Sequence, residues 1–163
     1  MSVQRTSETP LLPQIISQVF DRLMDDLHHH LHEAGYEDLR PTHCLNVLRI
    51  MDCDGTRPTE LARRAGMTPQ AMNELVSYLE RRDYVRRIPD PVDRRGRVVV
   101  YADRGTAAAK VATDFFADAE ARWDGIVGSD RFRDMKFALA EILDSTPAGA
   151  PIHNGARSVA GDR

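Results

Sequence analysis

The chain is 163 residues long, 42% apolar and 29% charged, with a formal net charge of −3. That profile fits one folded domain with room for an added oligomerisation element, and it excludes a disordered chain. The longest uninterrupted apolar run, Val98 to Ala102, is far below the roughly 20 residues that cross a bilayer, so no membrane partner is expected.

The charge is unevenly placed. Residues 57–104 hold 11 arginines and no lysine against 7 carboxylates, while the rest of the chain is acidic. Arginine suits two-pronged contacts to phosphates and base edges, so a basic block in an acidic frame points to nucleic acid. A merely solvated charged face is the plainer alternative. The N-terminus, with Arg5, Glu8, Pro10 and Pro13, lacks the apolar stretch of a secretory leader, and two cysteines make no disulfide framework. A cytoplasmic protein is expected.

In chain order, residues 1–10 read as a flexible arm. Leu12, Ile15, Ile16, Val19, Leu23, Leu27 and Leu31 recur at helical spacing, and Gly35 is a stop signal. A second helix starts near Pro41, buries Leu45, Leu48 and Ile50 or Met51, and ends around Asp52–Gly55. Cys44 and Cys53 fall near its two ends; on one helix they would lie roughly 13 Å apart, too far to bridge. A short helix follows Pro58, with Leu61, Ala62 and Ala65 inward and Gly66 at its end. Thr68 then caps a helix whose first turn holds Pro69 and whose buried stripe is Met72, Leu75, Val76 and Leu79.

The period next changes to that of strands at Tyr84–Ile88 and Arg97–Ala102, joined by a turn-rich loop, Pro89 to Gly96. From Asp103 a helix of about 25 residues carries Val111, Phe115, Ala119, Trp123 and Ile126 on one side. Gly128 breaks it, Ser129 is the next cap, and a last helix carries Phe132, Met135, Leu139, Ile142 and Leu143. Residues 146–163 read as a disordered tail. The predicted class is mainly α with a small two-stranded β wing: a winged helix-turn-helix core between N- and C-terminal helices. The second helix of such a pair enters the major groove by its N-terminal end, and the hairpin tip reaches phosphate or the minor groove.

Behind Thr68, the face opposite the apolar stripe shows Gln70, Asn73, Glu74 and Ser77. Gln and Asn can pair two-fold with adenine, and Glu can accept from cytosine; plain surface polarity is the alternative. Arg63, Arg64, Arg81 and Arg82 add cations able to meet backbone phosphates. In the wing, Arg94, Arg95 and Arg97 stand on a projecting turn. Asp93 beside them would repel phosphate unless it pins an arginine in an extended pose.

From Leu11 to Ser145 the chain resembles the MarR family of multiple-antibiotic-resistance-type regulators. The residues are Thr59-Glu60-Leu61-Ala62-Arg63-Arg64-Ala65-Gly66-Met67-Thr68, Leu75-Val76, Leu79-Glu80-Arg81-Arg82, Tyr84-Val85, Asp93-x-Arg95 and Gly105. The resemblance implies a homodimer built by dimerisation helices at 11–36 and 103–145, with a DNA-binding lobe at 37–102. It implies that the Thr68 helix is the recognition helix, Arg95 the minor-groove arginine and Asp93 its partner. It also implies a ligand cleft between dimerisation helices and DNA-binding lobe, for which Phe20, Leu23, Leu27, Tyr36, His43, Val47 and Phe115 are candidates, plain core being the alternative. Three positions depart from the pattern: Ala102 replaces a capping Thr, leaving Asp103 to cap; Asp83 replaces a Gly before the first wing strand; and Glu74 sits where a polar or basic residue more favourable to DNA is common.

Asp25, His28 and His32 fall on one helical face and are weak metal candidates, with His29, His30 and His43 near in sequence. They support an alternative: a metal-dependent helical enzyme, or a zinc or redox sensor using the His28–His32 cluster; Cys44 or Cys53 senses oxidants only with a depressed pKa, inert buried thiols being the plainer reading. That alternative leaves the arginine-rich wing unexplained. No Ser-His-Asp order, phosphate-binding glycine loop or His-Glu-x-x-His motif is present, so neither an enzyme nor a cofactor is expected. The expected function is a dimeric regulator, a repressor rather than an activator, on a pseudo-palindromic duplex, with a small-molecule effector as a further partner.

Overall fold

A computed structural model of the protein describes residues 10–93 and 95–145. The expectations placed on residues 1–9, Arg94, the tail from residue 146 and the side chain of Leu45 lie outside the described residues. The elements run α1 Leu12–Glu33, α2 Pro41–Asn46, a single 3-10 turn Leu48–Ile50, α3 Pro58–Ala65, α4 Pro69–Glu80, β1 Val85–Pro89, β2 Arg97–Tyr101, α5 Asp103–Val127 and α6 Ser129–Ser145. The strands pair antiparallel, Val85 opposite Tyr101 and Pro89 opposite Arg97. This is the winged helix-turn-helix that the periodicities predict, and no described helix is long and apolar enough to cross a membrane.

Two compact units are present, one ending at Phe116 and the other beginning at Ala117. In the first, Leu27, Leu31, Leu39, Val47, Leu61, Met72, Val76, Leu79, Tyr84, Val85 and Val99 are buried in one cluster. Each such side chain contributes about 1.5–3 kcal/mol relative to exposure. The apolar row at the start of α1 joins no core: Leu12, Ile15, Ile16, Val19 and Phe20 are all exposed. In the second unit Ala119 and Phe132 are buried, and Lys136 Nζ joins α6 to Glu120 of α5 at 2.8 Å. Ile126, expected inward, is 80% exposed, as are Met135, Ile142 and Leu143 in large part.

The helix after Pro41 is shorter than its periodicity suggests. It ends at Asn46, and Val47 leaves helical geometry at φ −126° and ψ −67°. Tertiary donors take the freed carbonyls: Tyr101 Oη donates to Leu48 O at 2.6 Å and Arg64 Nη1 to Ile50 O at 2.8 Å. Cys53 therefore lies beyond the helix that holds Cys44, and both are free thiols. Two cap assignments also shift by one residue. Asp103 and Ser129 are first helical residues rather than caps. Asp103 there favours the helix dipole, and the Ser129 hydroxyl donates instead to Asp124 at 2.9 Å.

Tight turns deliver the lobe. Gly66 ends α3 at φ 63°, and Asp83 holds φ 61° in the slot where the family pattern has glycine. Gly105 is required by packing, because a Cβ there would sit 1.8 Å from the Tyr84 carbonyl oxygen. Asp38, in the link after α1, gathers distant elements. It accepts from Tyr84 Oη at 2.6 Å and from both terminal nitrogens of Arg104, while Arg82 Nε lies 3.3 Å away. Burial raises its carboxyl pKa, but the bonds from Tyr84 and Arg104 outweigh that and hold it below the usual carboxylate range.

Candidate nucleic-acid interface

The helix α4 is set by its cap: Thr68 Oγ1 accepts from the Ala71 amide at 3.2 Å, and Pro69 occupies the first turn. With Met72, Val76 and Leu79 buried, the opposite face must look outward. Gln70, Asn73, Glu74, Ser77 and Arg81 line one open depression there. Their present bonds are local and exchangeable. Gln70 Nε2 donates to Glu74 Oε1 at 3.4 Å and Asn73 Nδ2 to Pro69 O at 3.0 Å. Ser77 is further committed, since its hydroxyl accepts from Arg87 Nη2 at 3.2 Å. Arg87 also pairs with Glu80, so it fastens β1 to α4.

Among the described residues, some arginines are tied to carboxylates and others are exposed. Arg63 binds Glu60 through two nitrogens, at 2.8 and 2.7 Å. Arg64 binds Glu60 at 2.8 Å and grips Asp52 with both terminal nitrogens. Arg63 and then Arg64 lower the Glu60 pKa to about 2. Arg82 covers the Tyr78 ring at 3.6 Å and pairs with Asp38. Arg81, Arg95 and Arg97 are exposed.

The wing turn is organised by Asp90, which is 4% exposed. Its Oδ1 accepts from the amides of Val92 and Asp93 at 2.8 and 3.1 Å, and its Oδ2 from Arg57 Nε at 2.5 Å. The Val92 amide, then Arg57 and the Asp93 amide, hold its carboxyl below the usual range. Asp93 Oδ1 accepts from the backbone amide of Arg95 at 3.1 Å, and its other oxygen is 3.9 Å from Arg57 Nη2. In this state Asp93 shapes the turn that presents Arg95. Arg57 and Asp90 are not among the residues that the sequence motifs pick out. A signal for Asp90 was available: an acid directly after Pro89 in a turn-rich loop is a natural acceptor for following amides.

A second feature is an apolar cavity of about 280 Å³, walled by α1, the Leu48–Arg49 turn, Tyr101 and α5. Phe20, Leu23 and Leu27 stand on its wall. Tyr36 lies instead near Tyr84, Val47 is in the core, and Phe115 packs on His30 with ring centroids 5.4 Å apart. His43 accepts the Arg40 amide at 3.0 Å and stacks on Tyr78 at 4.3 Å.

The histidines of α1 gather no metal set. Among the described residues no group of three or more His, Cys, Asp or Glu could hold an ion. Asp25 and His32 are exposed, and His28 keeps a buried Nδ1 without a partner. Burial pushes the Cys44 thiol up to about 11, which opposes thiolate reactivity.

A helix-turn-helix whose second helix presents a polar row, followed by an arginine-tipped hairpin, defines the winged-helix class. Residues 38–96 match the model of the MarR family. No curated protein matches. Among solved structures, apo MarR of E. coli is 20% identical, with a TM-score of 0.66 over 83% of this chain and 98% of that one. A MarR-family transcriptional regulator from Rhodococcus sp. RHA1 is 22% identical, with a TM-score of 0.58 over 83% and 97%. The transcriptional repressor CouR, bound to a 23-mer DNA duplex, is 25% identical, with a TM-score of 0.61 over 83% and 91%.

Proposed function

We propose that this chain is a dimeric, sequence-specific DNA-binding transcriptional regulator, a repressor relieved by a small effector. One observation carries the reading: a single lobe, in which Arg87 fastens β1 to α4, offers both an outward polar row and an arginine-tipped turn. The row suits a major groove, where Gln70 and Asn73 can exchange their weak local bonds for base edges. Arg95, presented by Asp93, suits the narrow minor groove beside it. Likeness to a repressor structure bound to DNA supports the same assignment.

Residues 37–102 serve as the DNA-binding lobe in this scheme, and 11–36 and 103–145 as dimerisation helices. The exposed apolar rows of α1 and α6 support a second copy of the chain as their cover. The effector site is the cavity of the first unit; an occupant that prefers a conformer with mis-spaced recognition helices releases DNA by linkage.

Selection of bound duplexes from a random pool, with and without a zinc chelator, together with sedimentation, tests the proposal. The expected result is a dimer on a pseudo-palindrome whose half-sites are about 34–36 Å apart, indifferent to chelation. A monomer that ignores duplex DNA even in dilute salt overturns it.

A further inference from the structure

A two-stranded hairpin is marginal on its own in water and takes its direction from what it leans on. Here it leans on the segment just before α3. The Thr56 amide donates to Val99 O at 3.0 Å and the Val99 amide to Thr56 O at 2.9 Å, a one-residue bridge to the middle of β2. Gly55 makes that approach possible, since a Cβ at its φ of 101° would lie 2.7 Å from Val100 Cγ1. This fixes the base of the wing. The side chain of Arg57 reaches the loop beyond it.

Arg57 occupies the N-cap position of α3, yet offers no side-chain bond to that helix. Its guanidinium crosses to the loop, Nε on Asp90 and Nη2 toward Asp93. Asp90 in turn holds the amides of Val92 and Asp93, and Asp93 holds the amide of Arg95. Three links thus run from the start of the helix-turn-helix to the wing arginine.

We infer that Arg57 is a positioning residue for DNA binding, one that sets the pitch of the wing through Asp90 and Asp93 and so aims Arg95. The inference rests on the DNA-binding reading above. Arginine is needed because a planar fork spans two carboxylates, whereas lysine offers one point charge. Arg57 therefore gains its effect through Arg95 and makes no phosphate contact of its own.

The test combines amide hydrogen exchange with a double-mutant cycle. In Arg57→Ala, exchange at the amides of Val92, Asp93 and Arg95 accelerates while α4 amides keep their rates; Arg57→Lys falls between. On the duplex selected by the wild-type chain, Arg57→Ala weakens binding about tenfold. In an Arg95→Ala background the same change costs almost nothing further, and the salt slope is unaltered by Arg57→Ala. Additive losses, with a salt slope reduced by about one, would show Arg57 on a phosphate and overturn the inference. Unchanged exchange at the wing amides would overturn it as well. If the wild-type chain selects no duplex, the functional reading fails, and the exchange result still decides whether Arg57 governs the wing.

Discussion

Asp38 and Arg104, 66 positions apart, meet in a two-pronged ion pair of 2.9 and 3.1 Å that joins the link after α1 to the first turn of α5. Arg104 also donates to the Arg82 carbonyl at 3.1 Å and covers the Tyr84 ring at 4.4 Å. Asp38→Asn or Arg104→Ala should therefore lower stability by about 2 kcal/mol, the scale for hydrogen bonds to charged partners in a half-buried site. Urea unfolding measures it. A change below about 0.5 kcal/mol would mean that solvent replaces the pair without loss.

Asp83 tests the backbone directly. It is a non-glycine residue at φ 61°, closing α4 while Tyr84 N bonds back to Leu79 O. Asp83→Gly should raise stability by a few tenths to about 1 kcal/mol, and Asp83→Val should lower it. A fall in melting temperature for the glycine variant contradicts this account of the turn.

His43 gives a pH dependence with a definite sign. Burial first, then Arg40 and Arg82, push its pKa below 6.5, against a smaller opposing pull from Asp38. The folded state thus favours neutral imidazole, and its Nδ1 must be unprotonated to accept the Arg40 amide. The unfolded chain binds the proton more readily, so stability falls as pH drops below 6.5 and levels off beneath the folded pKa. His43→Gln should flatten that limb of the stability–pH curve. An equal slope in both proteins places the effect elsewhere.

Base and shape readout should separate by mutation. Gln70→Ala or Asn73→Ala should cost about 1–3 kcal/mol and relax the selected motif. Arg95→Ala should weaken selected and mixed-sequence duplexes alike, since the contact proposed for it would sense groove shape and charge. Titrations at fixed salt decide. The same motif returned by all three variants moves base readout to other residues.

Most of the lobe was legible because local signals and tertiary demands agree in it. Proline and glycine bracket α3, Thr68-Pro69 opens α4, and the β-branched run at 98–100 makes β2. The break at Val47 was not legible, because nothing local distinguishes a helix that continues from one whose carbonyls are taken by Tyr101 and Arg64. The polar row of α4 followed from its buried stripe. In the Asp90 hub, the acid after Pro89 in a turn-rich loop signals the bonds to the following amides, whereas nothing local signals the bond to Arg57, 33 positions away. Of the expected cavity residues, Phe20, Leu23 and Leu27 share the face of α1 that the cavity meets, whereas His43 is engaged at the start of α2.

The carboxylate tethers on Arg57, Arg63, Arg64, Arg82, Arg87 and Arg104 have an electrical consequence. These guanidiniums already meet counter-ions built into the fold, with Asp38 shared by Arg82 and Arg104, so on a duplex they would displace little of its cation atmosphere. The stretch that looks like a dense positive block in the sequence thus acts as a sparse one. If the lobe binds a duplex as proposed, its affinity would depend on where a few arginines are aimed and would decline gently as sodium or potassium is added.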